Sequence, residues 1–109
     1  MATAYKVLGQ NDLAATTLTT VYTVPAATQA VISSIVLANR TGSAISYRIA
    51  IRPAGASIDN KHYIAYDVPV GGADSTTLTL GLTLAATDVL SVYASAASLS
   101  VNVFGSEIS

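Results

Sequence analysis

A chain of 109 residues is one domain by length, with room for one modest core and not for two. It contains no cysteine, which excludes disulfides and thiolate metal sites. Its net charge of -1 offers no electrostatic footprint for nucleic acid or an anionic membrane.

Charged residues are 10% of the chain, against about 25% in ordinary soluble domains, and mean hydropathy is +0.54. Either Ser, Thr and Ala cover the surface, or other subunits do. Exposed apolar patches usually mark interaction sites, so the expectation is a homo-oligomer or a part of a larger assembly. No membrane segment explains the hydropathy. Leu13 to Asn39 carries no charge, but Thr, Ser, Gln and Pro25 interrupt it, and a spanning helix needs about 20 mostly apolar residues. Met1 to Lys6 lacks the apolar centre of a signal peptide.

In chain order, Tyr5 to Leu8 reads as a short edge strand or arm, and Gly9 to Asp12 as a loop. The expected division is residues 1–15 as an N-terminal arm or edge strand and residues 16–109 as a β-sandwich domain. Thr16 to Val24 is a Thr-rich strand ending at Pro25, which cannot donate a ladder hydrogen bond. Ala30 to Ala38 is a nearly continuous apolar run, as expected of a strand buried on both faces. Asn39-Arg40-Thr41-Gly42-Ser43 reads as a hairpin loop. Ile45, Tyr47, Ile49 and Ile51 then alternate with Ser46, Arg48, Ala50 and Arg52. Successive strand side chains point to opposite faces, so both arginines face outward.

Loops rich in Pro and Gly follow at Arg52–Ala56 and Pro69–Ala73, on either side of a short aromatic strand, Lys61 to Tyr66. Leu78, Leu80, Leu82 and Leu84 alternate with Thr77, Thr79, Gly81 and Thr83. The interleaved threonines argue for a strand, because β-branched residues favour strands. Ala85 to Asp88 is a turn, and Val89–Ser95 and Leu99–Phe104 are the last strands, joined tightly at Ser95–Ser98. No helix is expected. Seven to eight strands at this spacing predict an all-β fold, a single antiparallel β-sandwich of jelly-roll or immunoglobulin-like type.

Few residues could do chemistry. The lone histidine, His62, has no Gly-x-Ser-x-Gly elbow or Cys beside it, and reads as a strand residue with a satisfied ring nitrogen. Asp12, Asp59, Asp67, Asp74, Asp88 and Glu107 lack the dense spacing of a calcium loop. Asp67 and Asp74 flank the Pro69–Gly72 loop and offer only a weak calcium site; turn capping is the simpler use. Gly71-Gly72 lacks the Lys-Ser/Thr that a phosphate cradle requires. No catalytic residue, cofactor or metal is expected.

The candidate interface residues are Arg48 and Arg52, on one strand face, with Tyr63 and Tyr66. In a regular strand Tyr63 and Tyr66 have opposite parity, so one points outward unless a bulge intervenes. Outward tyrosines are favoured at protein interfaces and sugar platforms.

Four segments together resemble small structural proteins of tailed bacteriophages, especially those of cyanobacteria and marine bacteria. They are Val21-Tyr22-Thr23-Val24-Pro25-Ala26 with Ala30 to Ile35, Tyr47 to Gly55, Lys61 to Pro69, and Leu84 to Ser95 continuing to Gly105. The resemblance spans residues 16–107 and rests on the order and density of these segments. It implies a non-enzymatic virion component: a capsid decoration (cement) protein, commonly a homotrimer, held on the head by the major capsid protein. The alternative it implies is a tail, baseplate or fibre-associated module that contacts host receptor glycans. Such a protein would be assembled in the host cytoplasm. A carbohydrate-binding or hydrolytic sandwich using Tyr63 and Asp67 is the reading from a different class.

Overall fold

The alternation at Ile45–Arg52 is realised as a strand whose inner residues Ile45, Tyr47 and Ile49 are buried and whose Ser46 and Arg48 are half-exposed on the other face. It is one of eight strands in a computed structural model that describes residues 2–109. They are β1 (Thr3–Leu13), β2 (Thr19–Thr23), β3 (Gln29–Asn39), β4 (Ile45–Arg52), β5 (Tyr63–Val70), β6 (Ser75–Leu84), β7 (Val89–Ala94) and β8 (Leu99–Ile108), with short 3-10 turns at Pro53–Gly55 and Asn60–His62.

Two four-stranded sheets face each other, the first in the order β1-β8-β3-β6 and the second β2-β7-β4-β5, with every pairing antiparallel. The nested pairs β1 with β8, β2 with β7, β3 with β6 and β4 with β5 describe a ribbon folded over on itself, which is the jelly-roll arrangement. Of the two sandwich types that the periodicity allows, the chain adopts this one. The core lies between the sheets and includes Ile32, Ile35, Leu37 and Val103 from the first and Tyr47, Ile49, Leu90 and Val92 from the second, all 0–1% exposed. Each such side chain contributes roughly 1.5–3 kcal/mol on burial.

Only β4 and β5 are consecutive strands of the same sheet. The Asn39–Ser43 segment is therefore an arch between sheets and not a hairpin loop. The buried Asn39 organises it: its Nδ2 donates to the carbonyls of Ser43 at 2.7 Å and Val70 at 3.1 Å, and its Oδ1 accepts from the Thr41 N–H at 2.9 Å. The turn chemistry was legible in the residues, but which sheet receives the next strand depends on long-range pairing.

Three other expectations change. Gly9–Asp12 is not a loop but the second half of β1, an edge strand paired with β8 along its length. A Cβ at Gly9 would lie 2.4 Å from the Val21 carbonyl oxygen, so glycine is what lets β1 and β2 approach where the sheets meet. The apolar run in β3 is fully buried on one face only; Val31, Ser34, Val36 and Ala38 on the other are half-exposed. Lys61 and His62 belong to a 3-10 turn, and the strand begins at Tyr63.

The first sheet bends along a line. Leu8 is an extra residue in β1 relative to β8, Ser33 is extra in β3, and Leu80 and Gly81 of β6 together span the level of Ser33. Bulges at one level sharpen the local twist. The Ser33 hydroxyl donates to the Phe104 carbonyl at 3.1 Å.

Candidate interaction surfaces

On the outer face of the second sheet, the pairing of β4 with β5 places Val68 opposite Tyr47 and Ala65 opposite Ile49. Two residues, Tyr66 and Asp67, therefore face the single residue Arg48. Asp67 takes the left-handed region at φ 54, a conformation that Asp tolerates better than most side chains. A second bulge, at Ile64 between the Ala50–Tyr63 and Ile49–Ala65 pairs, cancels the parity difference, and Tyr66 joins Tyr63 on the outer side. Their rings meet edge to face at 5.0 Å between centroids.

Arg48 is the centre of the cluster. Its guanidinium carbon lies 4.1 Å from the centroid of Tyr66 and 4.4 Å from that of Tyr93, which sits opposite Arg48 on β7. Its Nε donates to Asp67 Oδ1 at 2.6 Å and its Nη2 to Oδ2 at 3.4 Å. The hydrogen bond that Arg48 donates to Asp67 raises the guanidinium pKa above its already high value. Cation–π contact and a charge-assisted hydrogen bond thus hold one side chain from three directions. The surface is firm and locally charge-balanced, with Tyr66 54% exposed at its centre.

Arg52 shares that face but serves the fold. It donates to the Ser91 hydroxyl, the Thr20 hydroxyl and the Ala56 carbonyl, each at 3.3 Å, and so ties β4 to β7, β2 and the following loop. Of the four candidate interface residues, Arg48, Tyr63 and Tyr66 come together and Arg52 stands apart. Tyr93 and Asp67 complete the cluster, although neither was among the interface candidates. The alternation of Ser91 and Tyr93 against Leu90, Val92 and Ala94 carries a signal for the first; the bulge that recruits Asp67 has none.

The outer face of the first sheet is different. Thr77 and Thr79 of β6 and Ser100 and Asn102 of β8 make a hydroxyl- and amide-rich field, bordered by Asp12 opposite Ser100 and its ion-pair partner Arg40. An apolar stripe crosses it at the line of bulges: Val31, Phe104, Val7 and Tyr5 border one shallow depression. Tyr5 is 87% exposed and Val7 47% exposed, both on the free edge strand β1. Composition had signalled such a surface without placing it.

At one end of the sandwich the Tyr22 hydroxyl donates to Glu107 Oε2 at 2.6 Å, and Lys6 Nζ lies 2.6 Å from Oε1. Lys6 first, then Tyr22, holds the Glu107 carboxyl below its ordinary range. Burial, reinforced by Glu107, pushes the Tyr22 phenol well above its ordinary value. Both carboxylate oxygens are engaged, so the triplet is a tie between β1, β2 and β8.

The remaining polar residues also serve structure. His62 is buried in the 3-10 turn, not in a strand, and its Nδ1 accepts from the Asp59 N–H at 3.0 Å. Asp88 accepts from the N–H groups of Ala54 and Ala85, both at 2.9 Å. Asp74 caps the Ser75 N–H at 2.7 Å, and Asp67 is held by Arg48 instead. Among the described residues no group of three or more His, Cys, Asp or Glu side chains is placed to hold a metal ion. Every buried side-chain nitrogen or oxygen among them has a hydrogen-bond partner. No helix among them is long and apolar enough to cross a membrane.

Comparison with protein-family profiles finds no match. No curated protein and no solved structure matches the chain.

Proposed function

We propose that the chain is a non-enzymatic structural component of a bacteriophage particle: a capsid decoration (cement) protein that assembles as a homotrimer and docks on the major capsid protein. The observation that carries this reading is the apolar stripe of Tyr5, Val7, Val31 and Phe104 across a sheet face otherwise rich in hydroxyl and amide groups. A monomer gains nothing from displaying a tyrosine at 87% exposure on an edge strand, whereas a docked subunit buries it. Such an edge also offers unpaired backbone groups to a neighbour.

Two further points support the reading. The low charge fraction suits a surface that is covered in the assembled state. Jelly rolls recur in viral capsid proteins. Repeated weak contacts from each trimer gain strength through multivalency.

The test is binding of the purified protein to expanded heads and, separately, to tails. Saturable binding to heads is expected. Failure to bind heads, with firm binding to tails, overturns this reading in favour of the second. That second reading is a tail, baseplate or fibre-associated module contacting host receptor glycans, and the exposed tyrosine–arginine cluster on the opposite sheet favours it. Electron-microscopic localisation on intact particles separates the two.

A further inference from the structure

The two sheets end differently. The outer strands of the second sheet carry the devices that keep sheet edges from pairing. β2 is 5 residues long and bulged at Val21. β5 is bulged at Ile64 and Asp67, and its Pro69 has no N–H to donate. The outer strands of the first sheet are long and free of proline: β1 has 11 residues and β6 has 10. β6 carries no charge. The two charges of β1 are already paired, Lys6 with Glu107 and Asp12 with Arg40. Among the described residues, the Asp74 carboxylate on the Ser75 N–H is the only partner that either strand's backbone finds outside the sheet pairing. β6 also leaves apolar surface open. Leu78, Leu80 and Leu82 pack against the core but are only half-buried, because the sheet ends there.

We propose that β1 of one copy pairs antiparallel with β6 of the next, so that the first sheet continues from subunit to subunit. The inference rests on the homotrimer of the proposed function and deepens it. Three copies around one axis meet through heterologous contacts, which need two different surfaces on each copy. β1 and β6 are two such surfaces. Their directions fit: four antiparallel strands set β1 and β6 running oppositely, so a copy placed alongside continues the alternation. Their lengths fit as well. Followed across the sheet, Tyr5 is level with Thr83, Gln10 with Thr77 and Asp12 with Ser75. Between the first two levels β6 has one residue more than β1, which a bulge absorbs. The pairing covers the leucine row of β6 and sets Tyr5 and Val7 beside the threonines of the neighbour.

The experiment is disulfide trapping, which the absence of cysteine from the chain makes selective. Gln10→Cys and Thr77→Cys place thiols at exposed positions of one level. Within one copy these positions are three strand spacings apart, roughly 14 Å, and a disulfide spans at most about 7 Å between Cα atoms. Treating the double variant with oxidised glutathione should therefore link copies and give covalent trimers on non-reducing gels. Each single variant, and the mismatched pair of Gln10→Cys with Thr83→Cys, should stay unlinked. Thr77→Lys puts a charge on β6 and should reduce the solution mass to that of one chain, with the circular dichroism spectrum unchanged. Covalent dimers from Gln10→Cys alone would show β1 pairing with itself and overturn the inference. An unlinked double variant, or a Thr77→Lys chain that keeps the wild-type mass, would overturn it too. The two failures are distinct: an unlinked double variant that is still a trimer by light scattering sinks the seam and leaves the homotrimer. Linked products longer than three chains uphold the seam and sink the homotrimer.

Discussion

Arg48 lies over the ring of Tyr66, with its guanidinium carbon 4.1 Å from the ring centroid. The contact exists because Ala65 pairs with Ile49, which sets Tyr66 opposite Arg48; Asp67 is the extra residue inserted before Val68 pairs with Tyr47. At φ 54 a side chain with a Cβ costs roughly 1–2 kcal/mol relative to glycine, and Asp offsets part of this locally. Asp67→Ala loses both that offset and the partner of Arg48. Asp67→Gly loses only the partner. In urea denaturation, Asp67→Gly should therefore be more stable than Asp67→Ala by about 1 kcal/mol; the reverse order contradicts this account of the bulge.

Gly105 and Gly81 are both strand glycines of the first sheet with opposite surroundings. A Cβ at Gly105 would lie 2.0 Å from the Val31 carbonyl oxygen, whereas one at Gly81 would meet nothing within 4 Å. Gly105→Ala has to push β8 from β3 and should cost about 1–3 kcal/mol. Gly81→Ala should be neutral or slightly stabilising, because it lowers the entropy of the unfolded chain. Thermal denaturation of the two variants measures this; equal losses would show that the bend line does not need its glycine.

The Lys6–Glu107–Tyr22 tie predicts pH dependence at both ends of the scale. The Glu107 carboxyl sits below its ordinary value of 4.5 in the folded state. Its contribution is therefore present above about pH 4.5 and lost as pH falls through the folded-state value. The Tyr22 phenol sits above its ordinary value of 10.0. Its contribution is present below about pH 10 and lost as pH rises through the folded-state value. Melting temperature against pH should fall less steeply in acid for Glu107→Gln, and less steeply in alkali for Tyr22→Phe, than for wild type. Parallel profiles would mean that the tie carries no net stability.

The stripe on the first sheet predicts a solution property. Val7→Asp places a charge on the exposed edge strand β1, as natural edge strands do to prevent pairing. Light scattering should give a trimer for wild type and a monomer for Val7→Asp and Tyr5→Ser, with folding retained because both positions are exposed. A wild-type monomer would remove the stripe as the self-association surface.

Much of this architecture was readable from residues alone. The alternations at Ile45–Arg52 and Thr77–Leu84 identify strands because burial on one face imposes a period of two. They do not reveal that Asn39–Ser43 crosses between sheets, since the same turn residues serve a hairpin and an arch. Gly9 reads as a loop residue because glycine marks turns, and its actual use is a close approach to Val21. The alternation marks Arg48 and one of Tyr63 and Tyr66 as outward-facing; that both tyrosines face outward depends on the bulge at Ile64. Their union with Tyr93 and Asp67 needs both the bulge and the β4–β7 register, and pairing between distant segments leaves no local mark. The same is true of Glu107 and Tyr22, 85 residues apart in the chain.

The most direct measurement is electron microscopy of intact particles at a resolution that traces this fold. The account predicts copies of the jelly roll in threes at regular positions on the capsid exterior, with Tyr5, Val7 and Phe104 covered and Tyr66 facing solvent. Absence of the chain from purified particles, or copies with that stripe open to solvent, would contradict it.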